Sequence, residues 1–165
     1  MKAYLGLGSN LGDRFWNLSD AVKHLGGVNA IRLMAVSPVY ETDPVGDPDQ
    51  PKFLNAVLEI DTEFDPMNLL KTCLAIEKEM GRVRIRQWES RIIDIDVLLC
   101  GDEVISTKEL IVPHPFLHER EFVLRPLADI APDLVHPVFD ETIAELLCLV
   151  EETGVRKVED LVLTV

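Results

Sequence analysis

Four stretches of the chain alternate apolar and polar positions with a period of two, and several others repeat with helical spacing. Residues 2–8 (KAYLGLG) alternate as a first strand and stop at Gly8-Ser9-Asn10. Leu11, Phe15, Leu18, Val22 and Leu25 then recur at spacings of four, three, four and three, which predicts an amphipathic helix closed by Gly26-Gly27. A second strand is expected over 30–37, with Ile31, Leu33 and Ala35 on one face. Residues 38–52 hold four of the ten prolines, so no helix runs through them and they are expected to form a long loop. Residues 53–61 (FLNAVLEID) read as a long strand with Phe53, Asn55, Val57 and Glu59 on one face. Asp65-Pro66 is a helix start, Leu69, Cys73, Ile76 and Met80 make its buried stripe, and Gly81 ends it.

Arg91 to Leu99 (RIIDIDVLL) reads as a buried strand carrying two acids. Side chains alternate along a strand, so Asp94 and Asp96 share one face, while Ile93, Ile95, Val97 and Leu99 face the other. Gly101-Asp102 is a turn signal, with residues 103–105 expected to return as the second strand of a hairpin. Helices are expected over 119–131 and 140–150, the second capped by Asp140, and the tail over 151–165 ends in LVLTV, an added edge strand or a partner-binding segment. The order of strand, helix, strand, strand, helix, strand is the split pattern of a ferredoxin-like α+β domain. The expected architecture is an antiparallel sheet with helices on both faces, three layers in all, formed by residues 1–165 as one domain.

Composition narrows the partners. A formal net charge of −13 disfavours nucleic acid and anionic membranes, which would repel the chain at long range. No apolar run approaches the roughly 18 residues of a membrane helix, and no leader pattern is seen. Three cysteines, Cys73, Cys100 and Cys148, stand in apolar settings without a CxxC pair, so reduced core thiols and a cytoplasmic location are expected.

The chemistry concentrates around the two acids. Two residues of strand rise separate Asp94 and Asp96 by about 6–7 Å at the backbone, within reach of one divalent ion or a close pair. Arg82, Arg84, Arg86 and Arg91 lie just upstream. Carboxylates for magnesium beside guanidinium groups for phosphate oxygens suggest a magnesium–nucleotide site; the alternative is an exposed strand whose acids are solvated or paired to those arginines. Gly6, Gly8 and Gly12 are one residue too widely spaced for the dinucleotide fingerprint and read instead as a strand-to-helix turn. Asn55 is either a ligand contact or an amide at a wet edge. His114, in a rigid Pro-His-Pro segment, is a candidate phosphate donor, and a zinc pair with His118 is disfavoured because Pro115 breaks any shared helix face.

Several separated segments agree with one family: GLGSNLGDR at 6–14, YETDPVG at 40–46, DQPKFLNA at 49–56, the run from Glu77 to Leu99, VPH at 112–114, HEREFVLRPL at 118–127 and IAP at 130–132. Up to about residue 150 the chain resembles the hydroxymethyl-dihydropterin pyrophosphokinases of folate biosynthesis. The resemblance implies transfer of pyrophosphate from ATP to the hydroxymethyl group of 6-hydroxymethyl-7,8-dihydropterin, with AMP as the other product. It implies that Asp94 and Asp96 hold two Mg2+ ions and that Arg82 and Arg91 close over the triphosphate. Glu77, Arg84, Trp88, His114 and Arg120 fall on its ATP side. For the pterin, Phe53 and Phe122 match two stacking rings, and Thr42, Asp43, Pro44, Val45 and Asn55 its polar edge. Read without the resemblance, both phenylalanines are ordinary core residues. Phe53 stands in place of a common tyrosine, and Glu89 sets a negative charge beside the arginines. The resemblance makes a monomer acting on small molecules the leading expectation; a ligand-binding regulatory module and a protein-interaction domain are the alternatives.

Overall fold

The computed structural model describes residues 1–44, 46–81 and 92–165. Within them the elements run β1 (Lys2–Ser9), α1 (Arg14–Gly26), β2 (Ile31–Val36), β3 (Tyr40–Thr42), β4 (Phe53–Thr62), α2 (Pro66–Glu79), β5 (Asp94–Cys100), β6 (Ile105–Ser106) and β7 (Ile111–Val112). A short 3-10 turn at Leu117–Glu119, α3 (Glu121–Ile130), α4 (Ile143–Leu149) and β8 (Arg156–Lys157) complete the order. The main sheet is antiparallel in the order β5-β1-β4-β3-β8, with β2 also paired to β4. This is the expected ferredoxin-like α+β arrangement.

Two apolar layers sandwich the sheet. Leu5, Leu7, Leu58, Ile60 and Ile95 meet Leu18, Leu25, Leu69 and Cys73 of α1 and α2 in one core. Tyr4, Val57, Leu98 and Leu99 meet Leu124, Leu127, Ile143 and Leu146 of α3 and α4 in the other. Each fully buried leucine or isoleucine contributes about 1.5–3 kcal/mol of transfer free energy. Local signals start the helices. The Asp13 carboxylate accepts from Trp16 N at 3.0 Å, and Asp65 accepts from Asn68 N at 2.8 Å with Pro66 in the first turn.

Several expectations are corrected. Leu11 precedes the Asp13 cap, so it is exposed and outside α1. The proline-rich segment contains β3, since a strand only three residues long escapes a composition argument. Residues 105–106 do not return along β5 but pair with β7 in a separate two-stranded sheet. Leu99 joins Leu98 on the α3 side, because a register shift opposite Tyr4 and Leu5 inserts one extra residue in β5 and breaks the alternation. The cap of α4 is Thr142, not Asp140: Thr142 Oγ1 accepts from Glu145 N at 3.1 Å while Glu145 returns a bond to Thr142 N. Asp140 instead holds a left-handed turn at φ 56°. In the tail the strand is Arg156–Lys157 rather than LVLTV, whose Leu161 and Leu163 pack on the first core. Cys73 and Cys100 are buried, but Cys148 is exposed. No helix among the described residues is long and apolar enough to cross a membrane.

Candidate active site

The register of three strands builds an open cleft on the α3 side of the sheet. Gly8 of β1 lies between Asn55 of β4 and Asp94 of β5, and Gly6 lies between Val57 and Asp96. Residues opposite each other in adjacent strands point to the same face. Both rows therefore carry side chains at their ends and none in the middle. The result is a trough floored by glycine, with two acids on one bank and Asn55 on the other. A Cβ at Gly8 would stand 3.2 Å from Asn55 Oδ1, and one at Gly6 would stand 3.4 Å from Leu98 Cδ2. The expected turn role belongs to Gly12 alone, which has φ 68°. Gly6 and Gly8 are strand residues whose missing side chains make the space.

The cleft holds about 780 Å³ of empty space, its open mouth included. It gathers Thr42, Asp43, Phe53, Asn55, Asp94, Asp96, Arg120 and Phe122 of the predicted set. Asn55 is buried and its Nδ2 donates to Thr42 Oγ1 at 2.8 Å, so it is no wet-edge amide and its carbonyl edge is aimed by a fixed partner. Phe53 and Phe122 are half-buried at the mouth rather than sealed in a core. The Arg120 guanidinium sits 4.9 Å from the Phe116 ring centroid and 5.5 Å from that of Phe122, a stacking geometry that holds the cation beside the cleft. Pro44 follows the cleft residue Asp43 but does not line the space.

His114 is held next to this group. Its backbone N–H donates to Leu98 O at 2.9 Å, and its Nδ1 accepts from Phe116 N at 3.2 Å. With Nδ1 as acceptor, Nε2 carries the proton and is a donor. Burial, reinforced by the nearby Arg120 charge and opposed by Asp94, lowers the imidazole pKa to about 4. The ring is therefore neutral at physiological pH. His118 turns instead toward His136 and Phe139, with ring centroids 6.4 and 4.5 Å away, and makes no pair with His114.

Glu77 does not reach the cleft. It is buried on the α2 side of the sheet, where its Oε1 accepts from the backbone N–H of Ile95 at 2.8 Å. The carboxylate thus pins β5 between the two acids from behind. Val45, Arg82, Arg84, Trp88 and Arg91 lie outside the described residues. Sequence reasoning missed Gly6, Gly8 and Gln50 as cleft residues. The signal was present, since Gly6 and Gly8 share the strand face of Tyr4, where two missing side chains in a row mark a gap in the layer.

Asp94 and Asp96 suit magnesium by donor type: half-buried carboxylate oxygens on one strand face at an open cleft, with no third His, Cys, Asp or Glu grouped with them among the described residues. Magnesium favours one or two carboxylates completed by phosphate and water.

Residues 4–132 match the family described as 7,8-dihydro-6-hydroxymethylpterin-pyrophosphokinase (HPPK). The chain is 51% identical over 158 residues to a 2-amino-4-hydroxy-6-hydroxymethyldihydropteridine pyrophosphokinase of Methylorubrum extorquens, covering 96% of this chain and 99% of that one. It is 50% identical over 128 residues to the Bacillus subtilis protein of the same name, covering 78% of this chain and 77% of that one. In fold it is similar to the wild-type Plasmodium falciparum HPPK-DHPS crystallised with pteroate, at a TM-score of 0.71 and 20% identity. That match covers 89% of this chain but 42% of the Plasmodium chain, so the present protein spans less than half of it. The chain belongs to the 7,8-dihydro-6-hydroxymethylpterin-pyrophosphokinase family.

Proposed function

We propose that this chain transfers the terminal diphosphate of ATP to 6-hydroxymethyl-7,8-dihydropterin in folate biosynthesis. The observation that carries the reading is the glycine-floored cleft, with Asp94 and Asp96 on one bank and Asn55, Phe53 and Phe122 around the other. In the reaction the hydroxymethyl oxygen forms a bond to the β-phosphorus of ATP. The bond from that phosphorus to the α,β-bridging oxygen breaks, AMP leaves with the electron pair, and the hydroxyl proton passes to solvent.

Each residue has a physical task in this reading. Phe53 and Phe122 hold a flat heterocycle by stacking, and both rings are at the mouth where a ligand can enter. Asn55, oriented by Thr42, reads the polar edge of the pterin, with Asp43 beside it in the cleft, and family resemblance assigns Pro44 and Val45 to the same edge. Asp94 and Asp96 would hold two Mg2+ ions. Bound there, magnesium would offset the charge of the transferring phosphates. The neutral His114 offers its Nε2–H, and Arg120 its guanidinium, to phosphate oxygens on the same side. Family resemblance assigns Arg82, Arg84, Trp88 and Arg91 to closing over ATP, where forked donors match phosphate geometry. Glu77, which family resemblance sets on the ATP side, holds β5 from behind through the Ile95 N–H. Action as a monomer is carried over from the family resemblance.

Product analysis with ATP, magnesium and the pterin tests the proposal. AMP and pterin diphosphate should appear in equal amounts, and only with all three components. ADP in place of AMP would move the attack to the γ-phosphorus and refute it. Binding of ATP or pterin without any product would leave a ligand-binding module instead.

A further inference from the structure

The C-terminal segment lies outside the cleft, yet it is bonded to both of the walls that form the pterin side. Glu121, the first residue of α3, stands between Arg120 and Phe122, two residues of the cleft. Its carboxylate is almost fully buried and takes three hydrogen bonds and an ion pair. Arg125 Nε donates to Oε1 at 3.1 Å, and Nη2 of the same guanidinium lies 3.0 Å from that oxygen. Thr153 donates to Oε2 from its backbone N–H and, at 3.0 Å, from Oγ1. A buried carboxylate costs several kcal/mol to desolvate and persists only when every lone pair is used. Two of the three hydrogen bonds to Glu121 therefore come from the tail.

The next tail residues hold the opposite wall. Arg156 and Lys157 pair with Glu41 and Tyr40 of β3, the strand that carries Thr42. Arg156 Nη2 donates to Glu41 Oε1 at 3.1 Å, and Glu41 Oε2 accepts from Arg14 Nη1 at 2.9 Å. The same Arg14 nitrogen donates to Lys52 O at 2.9 Å, directly before Phe53. Tyr40 in turn donates its hydroxyl to Asp129 of α3, tying the two walls together.

Building on the function proposed above, we infer that Thr153 and Glu121 are positioning residues for the pterin: with Arg156 they form a strap that sets the spacing between Phe122 on α3 and Thr42–Asn55 on the sheet. Stacking demands that spacing be correct, since a gap of 0.5–1 Å forfeits a quarter to a half of the contact energy. The strap's bonds end on α3, on β3 and at Lys52 rather than on β5, while Arg120 adjoins Glu121, so its loss should fall more heavily on the pterin than on the nucleotide.

Thr153→Val keeps the size of the side chain and the backbone bond but removes one of the three hydrogen bonds to Glu121. Glu121→Gln removes the charge that holds Arg125 and turns one oxygen into a donor facing other donors. Pterin affinity is measured by calorimetry with 6-hydroxymethyl-7,8-dihydropterin, ATP affinity with α,β-methylene ATP, and Tm is recorded for each protein. We expect Thr153→Val to weaken pterin binding roughly fivefold and Glu121→Gln at least about tenfold. Affinity for the ATP analogue should fall by clearly less than that for the pterin, and Thr153→Ser should restore pterin affinity. Unchanged pterin affinity in both variants, or equal weakening of both ligands in step with a fall in Tm, would overturn the inference. If the unaltered protein binds the ATP analogue but no pterin, the functional reading beneath it fails first.

Discussion

Gly8→Ala is the smallest change that fills the cleft floor. The added Cβ would stand 3.2 Å from Asn55 Oδ1 and 3.7 Å from Phe53 Cδ1. The amide must therefore give by a few tenths of an ångström, and it is already tied through Nδ2 to Thr42 at 2.8 Å. Tilting it misaligns one ligand hydrogen bond, worth about 1 kcal/mol, and a methyl raised into the floor adds about 1 kcal/mol of overpacking once a ligand is seated. Pterin affinity should fall by about 2 kcal/mol, or roughly thirtyfold. Stability should hardly move. Gly8 is not among the glycines with positive φ, so alanine is tolerated there and gains about 0.4–1 kcal/mol through the unfolded chain. That gain offsets part of the crowding, and Tm should stay within about 3 °C. Calorimetric titration with the pterin and a thermal melt on the same sample are sufficient. Unchanged pterin affinity at unchanged Tm would show that the ligand does not lie on the glycine floor, and the proposed cleft would be wrong.

Other perturbations separate further parts of the account. Glu77→Ala should lower stability by roughly 2–3 kcal/mol in urea unfolding, because the Ile95 N–H behind β5 loses its acceptor, whereas Glu77→Gln keeps an acceptor and should recover most of it. His114 gives a pH signature. Its pKa is lowered from 6.5 to about 4, so its contribution to stability is complete above pH 6.5 and is lost as pH falls toward 4, when the unfolded chain takes up a proton that the folded one refuses. The loss should approach roughly 2–3 kcal/mol, and His114→Gln should show a shallower fall in urea midpoint between pH 6.5 and 4.5. Thiol labelling of the native protein should modify Cys148 alone, because burial pushes Cys100 up to about 11 and Cys73 up to about 12; fast labelling of all three would contradict the two-core packing.

Much of this was legible in the sequence because periodicity reports what a core needs. The strand of alternating isoleucines and aspartates already placed Asp94 and Asp96 on one face, and that is how β5 sits. It could not reveal the extra residue at Leu98, since a bulge is decided by the partner strand and leaves no mark in the alternation of its own. The start of α2 was visible in Asp65-Pro66, whereas Asp140 looked like a cap and is a turn, because two acceptable caps lay within three residues and packing chose Thr142. Glu77 sat one position from an apolar stripe and looked available to a ligand. Only the fold shows that the backbone of β5 lies against it. The strap through Thr153 joins residues 32 apart in sequence, and no local pattern encodes such a contact.

The claim at the centre is that the two acids of β5 serve the transferring phosphates while the opposite bank holds the pterin. Turnover of Asp96→Asn, read as AMP formation at saturating ATP and magnesium and paired with pterin affinity, tests it most directly. The substitution keeps shape and removes one charge from the exposed side of a strand that Glu77 continues to hold. Losing metal-assisted charge stabilisation of several kcal/mol should cut turnover at least roughly a hundredfold, while the pterin binds as before. Turnover near that of the unaltered protein would contradict the account, because the reaction would then proceed without the group placed at its centre.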